Sequence, residues 1–268
     1  MSEAIIYKYL PPVWSNGRTG PIDPVEEVLE RRLLRFTQPT EMNDHFENFP
    51  NAVAYKRSIR DENFRLRLSG IDASDANIDP HFEKIITLIQ DCYVYLCLSG
   101  NKSSQTMWSQ YSMSHTGFAV GFDSRCALFH PETETSGIAL RPVQYSSKRV
   151  NYPVDGTFTL TVQDQRRVIE SVFFTKSEEL RYEVEARVAR RPSDAQAVVE
   201  SEHGAPLFKF GFHPADIKEV ILGCRIAPDK RKRITEVLRR DYPHVRLYET
   251  SLDDLEFKMQ VTLLDNRL

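Results

Sequence analysis

The chain has 268 residues, of which 41% are hydrophobic and 27% are charged, and its formal net charge is −3. A chain of this length can bury enough apolar surface to fold without a disulfide or a metal, and its aromatic content excludes a mainly disordered protein. The near balance of charges argues against a globally basic nucleic-acid binder. No apolar run is long enough for a signal peptide or a membrane span, so we expect a cytoplasmic protein.

The first half of the chain alternates runs of β-forming residues with helix starts. Asp23-Pro24 and Asp79-Pro80 each begin a predicted helix, because Asp is a favourable N-cap and Pro fits the first helical turn. A third helix is predicted at 106–114 from its apolar spacing. Strands are predicted at 4–9, 33–37, 93–99 and 118–123.

The second half mixes helices and strands without a regular repeat. Helices are predicted at 161–175 and 229–241, and strands at 139–145, 182–190, 219–222, 245–248 and 258–263. Because these elements do not follow a βαβ order, the sequence predicts a single α+β domain over residues 1–268, with a mainly antiparallel sheet flanked by helices. The polar segment 193–204 is predicted to be a mobile loop.

Several common catalytic motifs are absent from the chain. It contains neither a phosphate-binding P-loop nor the glycine-rich dinucleotide fingerprint, and it lacks the nucleophile elbow of serine hydrolases and the zinc-protease helix motif. The seven histidines show no spacing typical of a metal site. The chemistry must therefore be sought in less regular patterns.

The most informative pattern is Glu183-x-Glu185-x-Arg187. On a strand these three side chains share one face, with about 7 Å between successive members. Two carboxylates this close repel each other, which raises the pKa of one of them unless a cation or a substrate intervenes. The pattern fits either the solvated face of an ordinary strand or a pair of functional acids.

A second pattern lies in the predicted helix at 106–114 and just after it. Trp108, Tyr111 and His115 have the spacing i, i+3 and i+7, which places them on one helical face. Aromatic rings beside a histidine can stack on a nicotinamide or a nucleobase. The alternative is an aromatic stripe that packs into the core, with His115 favourably placed near the negative end of the helix dipole.

Two polar segments are open to two interpretations each. The loop at 42–47 is either a turn made by side-chain hydrogen bonds or part of an active site. The predicted helix at 229–241 carries a basic run that either contacts nucleic acid or forms the solvated face of an amphipathic helix. That run consists of Lys230, Arg231, Lys232 and Arg233, followed by Arg239 and Arg240.

Taken in chain order, five short motifs resemble one bacterial family, the one catalogued as domain of unknown function 2971. The resemblance implies that the polar residues of these motifs form one composite site. The motifs are Tyr7-Lys8-Tyr9, Asn43-Asp44-x-Phe46-Glu47, Met107-Trp108-x-x-Tyr111-x-x-x-His115-x-Gly117, Lys176 with Tyr182-Glu183-x-Glu185-x-Arg187, and Val220-Ile221-Leu222-Gly223.

The same order of residues has a weaker resemblance to ADP-ribosyltransferases. Those enzymes place a basic residue on an early strand, a Ser or Tyr in the middle and a Glu, often within E-x-E, on a late strand. The resemblance implies that Glu185 bonds the nicotinamide ribose and stabilises an oxocarbenium-like transition state, with Glu183 and Tyr111 as further catalytic residues. The residues implied to bind NAD are Lys8, Tyr9, Trp108, His115 and Arg187.

This resemblance implies NAD-dependent ADP-ribosyl transfer or NAD hydrolysis, without a metal, as in a bacterial toxin or defence effector. The acceptor is protein, nucleic acid or water. One alternative is a nuclease that holds Mg²⁺ through Asp123, Glu183 and Glu185, because hard oxygen ligands suit that ion. The other alternative is a binding or sensor module without enzymatic activity.

Overall fold

The computed structural model describes residues 4–14, 20–42, 91–133, 136–150, 162–201 and 204–264. Helices and mainly antiparallel strands are mixed along the chain, which confirms the predicted α+β class. In these residues no helix is both long enough and apolar enough to span a membrane.

Six predicted strands agree with the structure to within two residues at both ends, and in all, thirteen strands lie in the described part of the chain. In chain order they are β1 (Ile5–Leu10), β2 (Leu33–Phe36), β3 (Val94–Ser99), β4 (Phe118–Asp123), β5 (Gly137–Pro142), β6 (Gln144–Ser146), β7 (Thr175–Ser177), β8 (Glu185–Arg190), β9 (Ala197–Glu200), β10 (Pro206–Gly211), β11 (Ile217–Leu222), β12 (Arg246–Leu252) and β13 (Met259–Leu263).

The strands form three sheets. The largest has eight strands in the order β13-β12-β11-β4-β1-β3-β8-β5, a second has the order β2-β10-β9, and a third pairs β6 with β7. In the large sheet β1 lies antiparallel to both β3 and β4, whereas β11 and β12 are parallel. The buried strand residues of this sheet supply much of the hydrophobic core.

Within the described ranges, three α-helices accompany the sheets: α1 (Gln105–Gln110), α2 (Val162–Phe173) and α3 (Pro228–Asp241). The Asp23-Pro24 start leads into a short π-helix, Val25–Glu30, and the Asp23 carboxylate accepts a hydrogen bond from the Val25 amide at 3.0 Å. A 3-10 helix spans Glu178–Glu183. The predicted helix at Asp79-Pro80 and the polar loop at 43–47 lie outside the described residues.

The chain divides into two compact units. Met1–Phe36, Tyr95–Arg141 and Tyr182–Leu268 form the first, and Thr37–Val94 with Pro142–Arg181 form the second. The single domain over residues 1–268 stays a prediction. Every contact in the candidate site described below lies within the first unit.

Two predicted elements are wrong at the ends that matter for the site. The strand predicted at 182–190 begins only at Glu185, because residues 178–183 form a 3-10 helix and Val184 has a positive φ of 45°. The helix predicted at 106–114 ends at Gln110. Met113, Ser114 and His115 all have positive φ values, a conformation that cannot continue a right-handed helix.

The polar segment at 193–204 is more regular than predicted. It contains β9, whose residues Ala197–Glu200 pair antiparallel with β10. Neither of these strands is predicted from the sequence. The mobility expected of this segment stays a prediction.

Candidate functional site

Six aromatic side chains gather against one face of the large sheet, and we call them the aromatic cluster. Tyr9 and Trp108 meet edge to face with ring centroids 5.1 Å apart, and the Trp108 indole N–H donates to the Lys102 carbonyl at 2.9 Å. The Ser104 side chain caps α1 and so fixes the helix that carries Trp108. The members are Tyr7, Tyr9, Trp108, Tyr111, Tyr182 and Tyr248.

Glu183 is the acid that the structure links to this cluster through Tyr111. The Tyr111 hydroxyl, at the C-terminal end of α1, donates a hydrogen bond of 2.8 Å to Glu183 Oε1. The Glu183 carbonyl accepts from Ser99, and the Gly100 amide donates to the Val184 carbonyl at 2.8 Å. The end of β3 therefore holds the backbone that presents Glu183, although this residue lies in the 3-10 helix and not on β8.

Glu185 has a different partner. Arg187 Nε and Nη2 donate to Glu185 Oε1 and Oε2 at 2.6 and 3.2 Å. Both side chains are buried, and Arg187 is among the largest fully buried side chains of the protein. A guanidinium that meets both oxygens neutralises the carboxylate. The structure thus separates the two acids of the E-x-E pattern into different surroundings.

A second carboxylate with a tyrosine partner lies at the other side of the cluster. The Tyr7 hydroxyl donates to Glu219 Oε1 at 2.8 Å, and Lys102 Nζ lies 3.3 Å from Glu219 Oε2 and 4.7 Å from the Tyr248 ring centroid. Burial and the neighbouring Glu219 charge raise the pKa of Tyr7, so its hydroxyl remains a neutral donor.

Gly121 makes the Tyr7–Glu219 contact possible. In the sheet Tyr7 pairs with Gly121, and Gly121 pairs with Glu219. A Cβ at this position would lie 2.8 Å from the Glu219 Cγ and 3.0 Å from the Tyr7 Cε1. The missing side chain lets residues of β1 and β11 meet across β4.

Lys8 and Tyr9 do not face the same site. Successive strand residues point to opposite faces, so Lys8 lies on the face opposite to the aromatic cluster, where its ammonium donates to the Cys97 carbonyl at 3.1 Å. Burial lowers the pKa of Lys8, and the nearby Glu185 charge only partly offsets this effect. Burial raises the pKa of Tyr9, whose hydroxyl donates to the Asn101 carbonyl.

The predicted helical face of Trp108, Tyr111 and His115 is wrong at its last member. The turn after α1 takes His115 off the helix, although its amide still donates to the Trp108 carbonyl at 3.0 Å. Burial, together with the charge of Arg225, lowers the pKa of His115. The imidazole is therefore neutral at physiological pH.

The acids proposed to bind Mg²⁺ are largely engaged elsewhere. Asp123 accepts hydrogen bonds from the Arg125 guanidinium at 2.8 and 3.0 Å, which holds its pKa well below the usual range. Among the residues that the structure describes, no three His, Cys, Asp or Glu side chains are grouped closely enough to hold a metal ion.

The basic run of α3 is mostly paired within the protein. Lys230 contacts Asp23, Arg231 contacts Glu249, and Arg233 contacts Asp23 and Glu30. Lys232 remains 78% exposed. The buried face of the helix consists of Ile234, Val237 and Leu238, as its amphipathic pattern predicts.

Sequence reasoning missed Lys102, Glu219, Tyr248 and Arg225. Glu219 carries a detectable signal, because it is the one acid of a mainly apolar strand, and a buried acid needs a partner. The other three carry no such signal. Their role depends on which loops and strands lie side by side.

The fold and the site together define a class of protein, namely an α+β chain whose large sheet carries an aromatic cluster on one face, with the carboxylates of Glu183 and Glu219 beside it. Residues 107–188 match the family described as Protein of unknown function (DUF2971), which confirms the resemblance over that part of the chain. No curated protein and no solved structure matches the chain. The likeness to ADP-ribosyltransferases therefore gains no support from these comparisons.

Proposed function

We propose that the protein binds NAD at the aromatic cluster and cleaves its nicotinamide–ribose bond, by hydrolysis or by ADP-ribosyl transfer. The observation that carries this proposal is the Glu183 carboxylate, which accepts a hydrogen bond from the Tyr111 hydroxyl at 2.8 Å beside the aromatic cluster. The nicotinamide ring of NAD is a planar aromatic cation, and aromatic faces with nearby carboxylates attract such a cation.

Cleavage of the nicotinamide–ribose bond requires negative charge beside the ribose carbon at which positive charge develops. As the bond between ribose C1′ and the ring nitrogen breaks, its electron pair leaves with nicotinamide and the ribose becomes oxocarbenium-like. A carboxylate fixed beside that carbon stabilises the transition state. Water, or a hydroxyl or amine of an acceptor, then adds to C1′ and releases its proton to solvent.

The geometry favours Glu183 as the carboxylate that stabilises the transition state. The resemblance to ADP-ribosyltransferases instead implies Glu185. Glu185 meets the Arg187 guanidinium through both oxygens, so its charge is already compensated. Tyr111 orients Glu183, and the partly exposed rings of Tyr182 and Tyr248 offer the stacking surface over the buried Trp108 and Tyr9. An enzyme that consumes NAD depletes an essential cofactor, which suits a bacterial toxin or defence effector.

The experiment is to incubate the purified full chain with NAD, with and without EDTA, and to measure nicotinamide by chromatography. A parallel arm contains DNA or RNA with Mg²⁺. We expect nicotinamide release that EDTA does not reduce and that Glu183→Gln abolishes. Cleavage of nucleic acid without nicotinamide release would contradict the proposal and support the Mg²⁺-dependent nuclease. If neither reaction occurs, the proposal is wrong and the hypothesis of a binding or sensor module without enzymatic activity remains.

A further inference from the structure

The turn that follows α1 has an unusual backbone. Met113, Ser114 and His115 have φ values of 49°, 55° and 67°, so three consecutive residues with side chains are in the left-handed region. Such residues persist only where their surroundings hold them, and they cluster at functional sites. Here the His115 amide donates to the Trp108 carbonyl and the Gly117 amide donates to the Ser112 carbonyl, which closes the turn.

The segment after β11 locks this turn in place. The Gly223 amide donates to the Gly117 carbonyl and the Arg225 amide donates to the His115 carbonyl, both at 3.0 Å. A Cβ on Gly223 would lie 2.2 Å from the His115 carbonyl oxygen, so only glycine permits this approach. The contact places Arg225 directly beside His115.

The His115 ring has one buried nitrogen without a partner. Within the described residues its Nδ1 is buried and makes no hydrogen bond. A buried donor without a partner is rarer than a buried acceptor with a free lone pair, so the proton of the neutral ring is assigned to Nε2. The ring thus keeps an N–H donor on its other nitrogen, which has no hydrogen-bond partner in the same residues.

Arg225 supplies a second donor group at the same place. Its side chain is exposed and makes no hydrogen bond or ion pair with the described residues. Burial and then the charge of Arg225 lower the pKa of His115, and no carboxylate among the described residues raises it. Two adjacent donor groups without an acid between them form an arrangement that an anion completes.

We propose that His115 Nε2 and the Arg225 guanidinium bind a phosphoryl oxyanion, namely the pyrophosphate of NAD. A guanidinium meets two phosphate oxygens at once, and the imidazole donor reaches a third. The turn begins at Tyr111, whose hydroxyl donates a hydrogen bond to Glu183. His115 follows Tyr111 by four positions, so the anion site lies close along the chain to the residue that orients the candidate catalytic acid. The assignment to NAD depends on the proposed function, whereas phosphoryl binding does not.

The experiment titrates the full chain with inorganic pyrophosphate, ADP and NAD by calorimetry at fixed salt concentration. We expect saturable binding of pyrophosphate that Arg225→Gln weakens about tenfold, as expected for the loss of a charged hydrogen bond. His115→Asn, which tolerates the left-handed backbone, should weaken it severalfold. The matched control is Arg239→Gln, which removes an exposed arginine from α3 and should leave affinity within about twofold.

Equal losses in Arg225→Gln and Arg239→Gln would show diffuse surface charge and overturn the proposal, as would the absence of saturable binding. A parallel measurement of nicotinamide release distinguishes a failure of the anion site from a failure of the proposed NAD cleavage. If pyrophosphate binding depends on Arg225 while NAD is not cleaved, the anion site stands and the NAD function fails. If NAD is cleaved and Arg225→Gln changes neither affinity nor the Michaelis constant for NAD, only the anion site fails.

Discussion

Glu183 and Glu185 are two residues apart and almost equally buried, at 3% and 4% exposure, yet they occupy different surroundings. Glu183 accepts a hydrogen bond from a phenol beside the aromatic cluster. Glu185 accepts two hydrogen bonds from a guanidinium. A phenol orients a carboxylate through a single hydrogen bond, whereas a guanidinium that meets both oxygens compensates the charge of the carboxylate.

This difference assigns the two acids to different tasks. A compensated carboxylate can support a buried arginine but contributes little to a cation that develops during a reaction. An oriented and charged carboxylate is suited to that cation. The comparison therefore predicts that changes at Arg187 act mainly on stability and that changes at Glu183 act mainly on turnover.

The largest effect is expected from Arg187→Met. This change removes a fully buried cation and leaves Glu185 buried without its guanidinium. Breaking one side of a buried ion pair costs about 3–5 kcal/mol of unfolding free energy. Urea denaturation followed by circular dichroism measures the loss. The double variant Glu185→Gln/Arg187→Met, which removes both charges, should recover part of it, and an unchanged midpoint in Arg187→Met would contradict the assigned role.

Glu183→Gln comes next, with an expected loss of about 10²–10³ in the rate of nicotinamide release, because a preorganised charge no longer faces the transition state. The amide can still accept the Tyr111 hydrogen bond, so the thermal midpoint should change little. Glu236→Gln, on the exposed face of α3, is the matched control. A Glu183→Gln variant that folds and retains full activity would show that Glu183 is not the catalytic acid.

Much of the fold could be predicted from local patterns. The strand at Phe118–Asp123 and the helix at Pro228–Asp241 agree with prediction within one residue, because continuous apolar runs and a clear amphipathic stripe specify them. The errors that affect the site lie at 111–115 and 182–184, where Met113, Ser114, His115 and Val184 have positive φ values. Tertiary hydrogen bonds, such as Gly100 to Val184, impose these conformations, and no local pattern encodes them.

The site could be predicted only in part. Tyr111 and Glu183 were both identified, but their direct contact was not, because a regular strand would have placed Glu183 beside Glu185. The resemblance to ADP-ribosyltransferases implies that Lys8 and Tyr9 both bind NAD, although strand alternation puts them on opposite faces of the sheet. Lys102 and Arg225 lie in loops whose positions depend on the long-range pairing of β3 and β11 with their neighbours.

A smaller effect is expected from Tyr111→Phe. Loss of the hydroxyl removes a hydrogen bond to a charged acceptor, which is worth about 1.5–3 kcal/mol, and part of this loss should appear as roughly tenfold slower nicotinamide release. Tyr182→Phe is the matched control, because the Tyr182 hydroxyl donates to the neutral Gln110 amide oxygen at 3.1 Å. Equal rates for the two variants would show that the hydrogen bond to Glu183 matters no more than the bond of another cluster tyrosine to a neutral amide.

The smallest effect is expected from a change beside Glu219. This carboxylate combines the two kinds of partner compared above, a phenol and a cation. Its carboxylate accepts from the Tyr7 phenol and lies 3.3 Å from the Lys102 ammonium, whose side chain is 37% exposed. Lys102→Met should cost no more than about 1 kcal/mol of unfolding free energy, because partly exposed ion pairs contribute little. It should also strengthen the binding of 1-methylnicotinamide by about threefold, since it frees the Glu219 charge and the Tyr248 ring for an aromatic cation. Fluorescence titration measures the affinity, and Lys102→Arg, which keeps the cation, should bind like the wild type. If Lys102→Met instead weakens binding, the ammonium supports the ligand directly and the charge of Glu219 does not attract the ring.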